Sequence, residues 1–370
     1  MNELDRVNRL ARRLRALDID RLLVSTPVNV RYLTGYTGSN GLALIAADES
    51  ANEGSRHLFF TDFRYATQSG EQVPDVFERE IAPANLFEAA TRALGPGEAD
   101  GEKLGFDDAS LTVKQHAHLR ELLAPGWDLV ACGGVVESLR EVKDEWEVEH
   151  VRAATQLADA ALTGVLEDGL VGRTEREVAI ELELRMRRLG AQAPSFPSIV
   201  ACGEHGALPH AEPRDVEIRR GVFVTIDWGA YMDGYCSDCT RTYATGPLPG
   251  EATETYELVL SAQEAALAAV RAGVSGREVD GVARSIIEQA GHAEHFGHGV
   301  GHGVGMEIHE APRLSYTAGE EPLRAGNIVT VEPGVYLPGR LGVRIEDLAL
   351  VGEDGHQRLT GLAKELAFVD

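Results

Sequence analysis

Three histidines occur within fifteen residues of the sequence, in the segment Phe296–Glu310, FGHGVGHGVGMEIHE. His298 and His302 have the i,i+4 spacing with which a helix binds zinc, but glycine fills every odd position from 297 to 305. Each interior glycine costs a helix about 1 kcal/mol, so a helix is disfavoured. The glycines also lack the n, n+2, n+5 spacing of a dinucleotide-binding loop. We therefore predict an extended strand or loop on which His298, His302 and His309 line one cavity.

Four carboxylates lie in segments whose apolar and β-branched patterns predict strands. Asp227 and Asp238 flank a predicted hairpin turn at 232–234, so their side chains lie directly opposite or, after a one-position shift of the turn, near-diagonally. Glu332 and Glu346 lie in the two strands of a second predicted hairpin. A carboxylate in a buried strand is costly unless it is paired or binds a metal. Each of the four therefore needs a positive partner.

Two kinds of positive partner satisfy these carboxylates. One aspartate could be exposed and the other protonated or bound to Arg241, and Arg344 could bind one of the glutamates. Metal ions are the second kind, because four carboxylates and one histidine match two divalent cations and leave a bridging hydroxide as nucleophile. Such an oxygen-rich ligand set favours Mn²⁺ or Co²⁺, with Zn²⁺ as a further option. The nearby Cys236 and Cys239 have CxxC spacing without a second pair, so we predict packing cysteines rather than redox or zinc chemistry.

The elements that position these residues fall into two predicted domains, 1–135 and 136–370. The first alternates helical and strand patterns, beginning with an amphipathic helix at Glu3–Leu17, which is typical of an α/β domain. The second begins with helices and continues with paired strands, which predicts an α+β domain with an antiparallel sheet. Its predicted helices start at Asp144, Thr174, about Glu254 and Ser275, and its predicted hairpins join 222–229 to 235–243 and 327–336 to 342–351.

The composition is that of a globular protein, with 370 residues of which 44% are hydrophobic and 25% charged. A net charge of −24 repels nucleic acid and anionic lipid, so we expect neither as a partner. No apolar run approaches the roughly 18 residues that a membrane span needs. The charged N-terminal segment lacks the apolar core of a signal peptide. We therefore expect a cytoplasmic protein.

Four stretches of the sequence carry a resemblance to a known family: IDWGAYMDGYCSDCTRT, GHGVGHGVGMEIHE, VTVEPGVY and GVRIED. Over about residues 140–370 the chain resembles the pita-bread dinuclear metallopeptidases, which comprise Xaa-Pro aminopeptidases, prolidases and methionine aminopeptidases. The stretches NVRYLTGYTGSNG and TDFRY resemble the creatinase-type N-terminal domain of the Xaa-Pro branch, which methionine aminopeptidases usually lack. The resemblance implies an α+β fold, in which a pita-bread domain of antiparallel sheet and flanking helices follows a smaller α/β domain.

The resemblance also implies a role for each matching residue. The metal ligands would be Asp227, Asp238, His302, Glu332 and Glu346, with Asp238 and Glu346 bridging two ions. Glu332 would also carry a proton to the proline nitrogen, and Arg344 would orient the ligands. The histidines on the substrate side would be His298, His309 and His210.

The implied reaction is hydrolysis of the bond between the first residue of a peptide and a proline at the second position, by a hydroxide that bridges the two metals. The N-terminal stretches favour an Xaa-Pro aminopeptidase. A prolidase, the alternative, needs a cation for the free carboxylate of its dipeptide, for which the sequence offers Arg31, Arg64, Arg313 and Arg344. A metal-free creatinase-like hydrolase and a non-enzymatic binding module share the fold but should have lost ligands. Relatives of this branch are commonly dimers or tetramers, so we expect a homo-oligomer.

Overall fold

A computed structural model describes residues 3–47, 57–83, 85–98 and 101–370. The chain divides into two compact units between Arg140 and Glu141. The domain boundary predicted from the sequence, after residue 135, lies slightly before this division, and it stays a prediction.

The N-terminal unit is built on one mixed sheet. Its strands are β1 (Arg21–Val24), β2 (Gly41–Ala46), β3 (His57–Asp62), β4 (Phe77–Ala82), β5 (Glu102–Phe106) and β6 (Trp127–Ala131). Its helices are α1 (Glu3–Ala16), α2 (Pro27–Thr34), α3 (Ala66–Gln72), α4 (Leu86–Leu94), α5 (Val113–Leu122) and α6 (Glu137–Arg140). The strands lie in the order β4-β3-β2-β1-β5-β6, and β1 pairs antiparallel with β2 and parallel with β5. The predicted α/β character of this unit is confirmed.

Helix α1 illustrates why the sequence folds locally as it does. Its apolar residues recur every three or four positions, so they share one face of the helix, and the structure buries that face. The buried apolar residues are Val7, Leu10, Ala11 and Leu14. The helix ends at Ala16, one residue before the predicted end.

The C-terminal unit carries short strands and long helices. Its helices are α7 (Glu145–Glu167), α8 (Glu175–Leu189), α9 (Gly250–Ala269) and α10 (Gly276–Gln289). Its first strands are β7 (Ala193–Pro194), β8 (Ile199–Cys202), β9 (Phe223–Trp228), β10 (Ala230–Met232), β11 (Tyr235–Cys236) and β12 (Cys239–Ala244). The remaining strands are β13 (Gly301–Gly303), β14 (Glu310–Leu314), β15 (Ile328–Val331), β16 (Gly334–Leu337), β17 (Leu341–Arg344), β18 (Asp347–Val351) and β19 (His356–Arg358).

The strands of the C-terminal unit form antiparallel sheets. A five-stranded sheet has the order β14-β13-β15-β18-β19, and three-stranded sheets have the orders β12-β9-β8 and β11-β10-β7. Strands β16 and β17 form a further pair. Every strand pairing described in this unit is antiparallel. The predicted antiparallel α+β domain is therefore confirmed.

The helix starts of this unit follow from capping residues. In each of three helices the N-cap side chain accepts a hydrogen bond from the backbone N–H of the third helical residue. The side chain of that third residue, a glutamate, accepts one from the backbone N–H of the N-cap residue. These capping boxes pair Asp144 with Glu147, Thr174 with Glu177 and Ser275 with Glu278, and they confirm three predicted starts. Helix α9 begins at Gly250, directly after Pro249 and slightly before the predicted start.

Two apolar cores flank the sheets of the C-terminal unit. One core joins α9 and α10 to the five-stranded sheet, and its members include Val259, Ile287 and Val329. The other joins α7 and α8 to β8, β9 and β12, around the fully buried Trp228. The strands that carry the predicted ligands therefore lie between packed helices. Within the described residues, no helix is long and apolar enough to span a membrane.

Candidate metal centre

The β9–β12 hairpin fixes the relative position of the first two carboxylates. Its turn is formed by Asp233 and Gly234, which have φ values of 49° and 92°, as a two-residue hairpin turn requires. The resulting register pairs Asp227 with Thr240. Asp238 lies two residues before Thr240, so Asp227 and Asp238 are diagonal neighbours. This is the shifted one of the two predicted arrangements.

Strands of the five-stranded sheet and of the β16–β17 pair bring the other three predicted ligands to the same place. His302 is the middle residue of β13, Glu332 directly follows β15, and Glu346 lies between β17 and β18. Ligand oxygens of Asp227, Asp238 and Glu346 lie within 4.8 Å of one another. His302 Nε2 lies 3.6 Å from Asp238 Oδ2 and 3.3 Å from Glu332 Oε1. The structure thus brings all five side chains together, and we call them the open cluster.

The glycine-rich segment is extended or irregular, as predicted, with Gly301–Gly303 forming a strand and Glu310 beginning the next one. A Cβ atom on Gly301 would overlap the carbonyl oxygen of Thr330 on β15. The backbone N–H of His302 donates to Thr330 Oγ1 at 3.0 Å. Glycine therefore lets β13 approach β15 closely enough to place His302 beside the carboxylates.

Burial and mutual repulsion act together on the carboxylates. Burial, and after it neighbouring carboxylates, raises the pKa of Asp238 and of Glu346 well above their ordinary values. Burial also raises the pKa of Asp227. For Glu332 burial acts in the same direction, but the hydrogen bond from His302 and the charges of His302, His298 and Arg344 together outweigh it and lower the pKa to about 2. The open cluster carries more negative charge than its surroundings neutralise.

Two oxygens of the open cluster test whether metal ions fit. In the described part of the chain, the buried Oδ1 of Asp227 and Oε1 of Glu346 have no hydrogen-bond partner. A buried carboxylate oxygen without a donor loses the free energy of its hydration, so such atoms need an explanation. Hard divalent cations bind carboxylate oxygens and imidazole nitrogens, and ligand oxygens within 4.8 Å of one another can reach the same ion. The residues present therefore fit a divalent metal site.

A hydrogen-bonded chain leads away from the cluster. Arg344 Nη2 donates to Asp227 Oδ2 at 2.7 Å, and Arg344 Nη1 donates to the hydroxyl of Tyr336 at 3.0 Å. That hydroxyl lies 2.9 Å from His298 Nε2. Arg344 thus contacts an aspartate, not a glutamate as one alternative had it. Tyr336 is absent from the predicted site residues, although its position four residues after Glu332 in VTVEPGVY is the signal that could have found it.

Arg241 does not neutralise the open cluster, so the predicted alternative of an Arg241–aspartate pair in this site is wrong. Its Nη2 donates to Asp347 at 2.9 Å. The reason is strand geometry, since Arg241 and Thr240 are successive residues and face opposite sides, and it is Thr240 that contacts Glu346. Cys236 and Cys239 are buried thiols, as expected for packing cysteines.

Two of the predicted substrate-side histidines, His298 and His309, lie near the open cluster. The rings of His309 and His302 have centroids 4.5 Å apart. Burial lowers the pKa of His298 and of His309, and the charge of His210 contributes to both shifts in smaller part. His210 itself is exposed. The carbonyl oxygen of the preceding residue, Pro209, accepts from Arg344 Nη1 at 3.2 Å, so the backbone beside His210 reaches the same hydrogen-bonded chain.

Comparison with known proteins decides the family. Residues 149–353, more than half of the chain, match the model of metallopeptidase family M24. The chain belongs to this family. Residues 6–142 match the creatinase/prolidase N-terminal domain. The predicted family, the metallopeptidase class and the two-part α+β fold are confirmed.

Members of the M24 family similar to this chain include peptidases with solved structures. An uncharacterized peptidase of Bacillus subtilis is 40% identical over 351 residues, which cover 95% of this chain and 96% of that protein. The structure of an Xaa-Pro dipeptidase from Bacillus anthracis has a TM-score of 0.92 and 37% identity, with 100% of both chains covered. The structure of an X-Pro aminopeptidase from Thermotoga maritima has a TM-score of 0.87 and 32% identity, covering 96% of this chain and 100% of that one.

Proposed function

We propose that this protein is a metal-dependent exopeptidase that hydrolyses the Xaa-Pro bond at the N-terminus of peptides. One observation carries the proposal, namely the convergence of five predicted ligands on a buried site with two unpartnered carboxylate oxygens. Relatives named for the cleavage of Xaa-Pro substrates, both dipeptidase and aminopeptidase, support the choice of substrate.

The proposed cofactor is a pair of divalent cations, with Mn²⁺ preferred and Co²⁺ or Zn²⁺ as alternatives. The residues that would hold them are Asp227, Asp238, His302, Glu332 and Glu346. When bound, the cations supply Lewis acidity towards the scissile carbonyl and an activated water as nucleophile.

The protein's own residues supply the remaining chemistry in this proposal. Glu332, whose Oε1 accepts from Thr330 Oγ1 at 3.1 Å, transfers a proton to the proline nitrogen as the bond breaks. His298 and His309 stabilise the charge that develops on the carbonyl oxygen. Arg344 holds Asp227 in place, which is a positioning role.

Two candidate activities differ in the length of the substrate. One is the Xaa-Pro aminopeptidase predicted from the sequence, and the other is an Xaa-Pro dipeptidase. Arg313 favours the dipeptidase, because it is the cross-strand partner of His302 on β14, is exposed, and acts electrostatically on His309. Within the described residues, no ion pair involves Arg313, so its guanidinium is available to a substrate carboxylate. Arg344, in contrast, already donates to Asp227 and Tyr336.

Three peptides and one metal test the proposal. Metal-free protein reconstituted with Mn²⁺ should cleave Ala-Pro, Ala-Pro-Ala or both, leave Ala-Ala-Ala intact, and lose activity when a chelator is added. Equal cleavage of Ala-Ala-Ala would show that proline is not the determinant. Absence of any metal-dependent cleavage would instead favour the non-enzymatic binding module.

The Arg313→Gln variant distinguishes the two candidates. In a dipeptidase it should lower kcat/KM for Ala-Pro by about 10-fold or more, because a charge-assisted hydrogen bond is lost. Ala-Pro-Ala should be affected much less. Arg324→Gln is the matched control, since Arg324 is exposed and bonds Glu141. An equal effect of Arg313→Gln on both peptides would remove the structural support for a dipeptidase.

Assembly into a dimer or tetramer and a cytoplasmic location stay predictions from the sequence. Light scattering of the purified protein measures the first, and a monomer at working concentration would contradict it.

A further inference from the structure

The carboxylate of Glu175 is buried and saturated with hydrogen bonds. Glu175 is the first residue of α8, and its side chain has 0% exposure. It accepts from the backbone N–H of Cys202 at 2.8 Å, and from the backbone N–H and Nε of Arg214 at 3.0 and 3.2 Å. His205 Nδ1 lies 2.9 Å from Oε2, and because an ionised carboxylate only accepts, this nitrogen carries the proton. Glu175 therefore collects donors from three residues.

These donors belong to both ends of one segment, Cys202–Arg214, which we call the His210 loop. Cys202 and His205 precede His210, and Arg214 follows it. A segment whose two ends bond the same buried group is closed at its base. Glu175 is the residue that closes it.

The His210 loop is also tied near its tip. Arg344 Nη1 donates to the carbonyl oxygen of Pro209, the residue before His210, at 3.2 Å. Gly206 packs so closely on Gly342 of β17 that a Cβ atom on Gly342 would overlap the carbonyl oxygen of Gly206. Since Arg344 also holds Asp227, the tip of the loop is joined to the open cluster and its base to α8.

The position of His210 depends on these ties. Within the described residues 101–370, the imidazole of His210 makes no hydrogen bond. It is exposed, and it directly follows Pro209, whose carbonyl oxygen Arg344 binds. The backbone of the loop, and not a side-chain partner, therefore sets where this ring lies.

We propose that Glu175 is a positioning residue for the peptide substrate, acting through His210, whose loop its carboxylate closes. This inference rests on the proposed peptidase function, in which His210 lies on the substrate side. Glu175 lies at the start of α8 and binds the base of the loop, so its contribution is to geometry. Misplacement of a reacting group by about 1 Å can cost about 100-fold in rate.

The test compares two neighbouring glutamates of α8. Glu175→Gln keeps the size of the side chain but replaces one acceptor oxygen by an NH₂ that faces donors. Glu177→Gln is the matched control, because Glu177 accepts from the backbone N–H of Thr174 in the capping box of the same helix end. With Mn²⁺ bound, we expect kcat/KM for the Xaa-Pro peptide to fall about 10- to 100-fold in Glu175→Gln and to stay within about 2-fold in Glu177→Gln. Mn²⁺ affinity, measured calorimetrically, should be unchanged in both.

A double-mutant cycle shows whether the effect passes through His210. In the His210→Ala background, adding Glu175→Gln should change kcat/KM by less than about 2-fold, because the group that it positions is already gone. A loss as large as in the wild-type background would mean that Glu175 acts elsewhere, and the proposal would be wrong. If Glu175→Gln does not fold, Arg214→Gln removes the guanidinium hydrogen bonds to Glu175 from the partly exposed side of the loop and enters the same cycle.

Amide hydrogen exchange separates a failure of this inference from a failure of the proposed function. Exchange in residues 203–213 should accelerate at least about 10-fold in Glu175→Gln and not in Glu177→Gln, whether or not peptides are cleaved. If the wild-type protein cleaves no Xaa-Pro peptide, the proposed function fails, and exchange alone decides whether Glu175 fixes the loop. Unchanged exchange in Glu175→Gln would overturn the inference in either case.

Discussion

Glu346 and Asp347 are adjacent in the sequence and both buried, yet their carboxylates meet opposite surroundings. Asp347 accepts from Arg241 at 2.9 Å and from the hydroxyl of Thr360 at 2.7 Å, and it lies 3.0 Å from Lys364 Nζ. Burial acts to raise the pKa of Asp347, but the charges of Arg241 and Lys364, with the hydrogen bonds of Thr360 and Lys364, together outweigh it, so the pKa lies below its ordinary value. Asp347 is thus a saturated carboxylate.

Glu346 is the unsaturated counterpart. Its Oε2 accepts from Thr240 at 2.7 Å, while in the described part of the chain its buried Oε1 has no partner. Its ligand atoms face Asp227 and Asp238, and burial followed by the charge of Glu332 raises its pKa well above the ordinary value. The difference teaches that burial alone does not mark a cation site. A cation site is indicated by a buried carboxylate that has an oxygen without a hydrogen-bond donor and lies among like charges.

The largest expected effect is on stability, and it has opposite outcomes for the two neighbours. Asp347→Asn leaves Arg241 and Lys364 buried without their counter-charge, which should cost about 3–5 kcal/mol of unfolding free energy. Glu346→Gln removes one of several repelling carboxylates, so the metal-free protein should be as stable as wild type or more stable. Urea unfolding with a chelator present measures both.

A surface substitution provides the reference for this pair of variants. Asp354 is exposed, so Asp354→Asn should change the unfolding free energy by no more than about 0.5 kcal/mol. Equal destabilisation by Asp347→Asn and Glu346→Gln would contradict the distinction between saturated and unsaturated carboxylates.

The two variants should differ in their response to added metal. At an Mn²⁺ concentration about 100 times the dissociation constant, binding to the folded state alone stabilises by about 2.7 kcal/mol. Wild type and Asp347→Asn should both gain this increment, whereas Glu346→Gln should lose most of it. Thermal unfolding with and without Mn²⁺ measures the increment, and an undiminished gain in Glu346→Gln would place the metal elsewhere.

A smaller effect is expected at Tyr336, which accepts from Arg344 and contacts His298. Tyr336→Phe removes this hydroxyl, so the Arg344 guanidinium and the His298 ring, which flank the open cluster, each lose a hydrogen-bond partner. Loss of such a supporting contact should lower kcat/KM for the Xaa-Pro peptide by about 10- to 100-fold. Tyr316→Phe, at an exposed tyrosine, is the control. Full activity of Tyr336→Phe would show that Arg344 and His298 are oriented without it.

The open cluster could be predicted from the sequence because its members stand in short, apolar strand patterns where a carboxylate is conspicuous. Asp227 and Asp238 were restricted to two registers by their hairpin, and the turn at Asp233 and Gly234 selected one. The side on which Arg241 lies was open to the same reasoning, since strand residues alternate, and an Arg241–aspartate pair in the cluster could have been excluded.

Contacts between distant segments could not be predicted in this way. Glu175 binds residues 27 to 39 positions away, and nothing in the local pattern of α8 distinguishes it from the other glutamates of that helix. Asp347 likewise depends on Arg241, 106 positions earlier. Saturated and unsaturated carboxylates look the same in the sequence, because each is a single acidic residue among apolar ones. Only tertiary structure shows which donors reach them.

The smallest expected effect extends the comparison to Glu175, a second saturated carboxylate. Burial acts to raise its pKa, but hydrogen bonds led by that of Arg214 outweigh burial, so the pKa in the folded state lies below the ordinary 4.5. A carboxyl group whose pKa is lower in the folded than in the unfolded state stabilises the folded protein at pH values above the unfolded-state pKa. This stabilisation is lost as the pH falls through the folded-state pKa. The difference in unfolding free energy between wild type and Glu175→Gln should therefore be constant near neutral pH. Below about pH 4.5 it should shrink by at most about 1.4 kcal/mol per pH unit. Urea unfolding of the metal-free proteins across this range measures the difference, and a value that grows towards acid pH would mean that Glu175 is not held ionised by its donors.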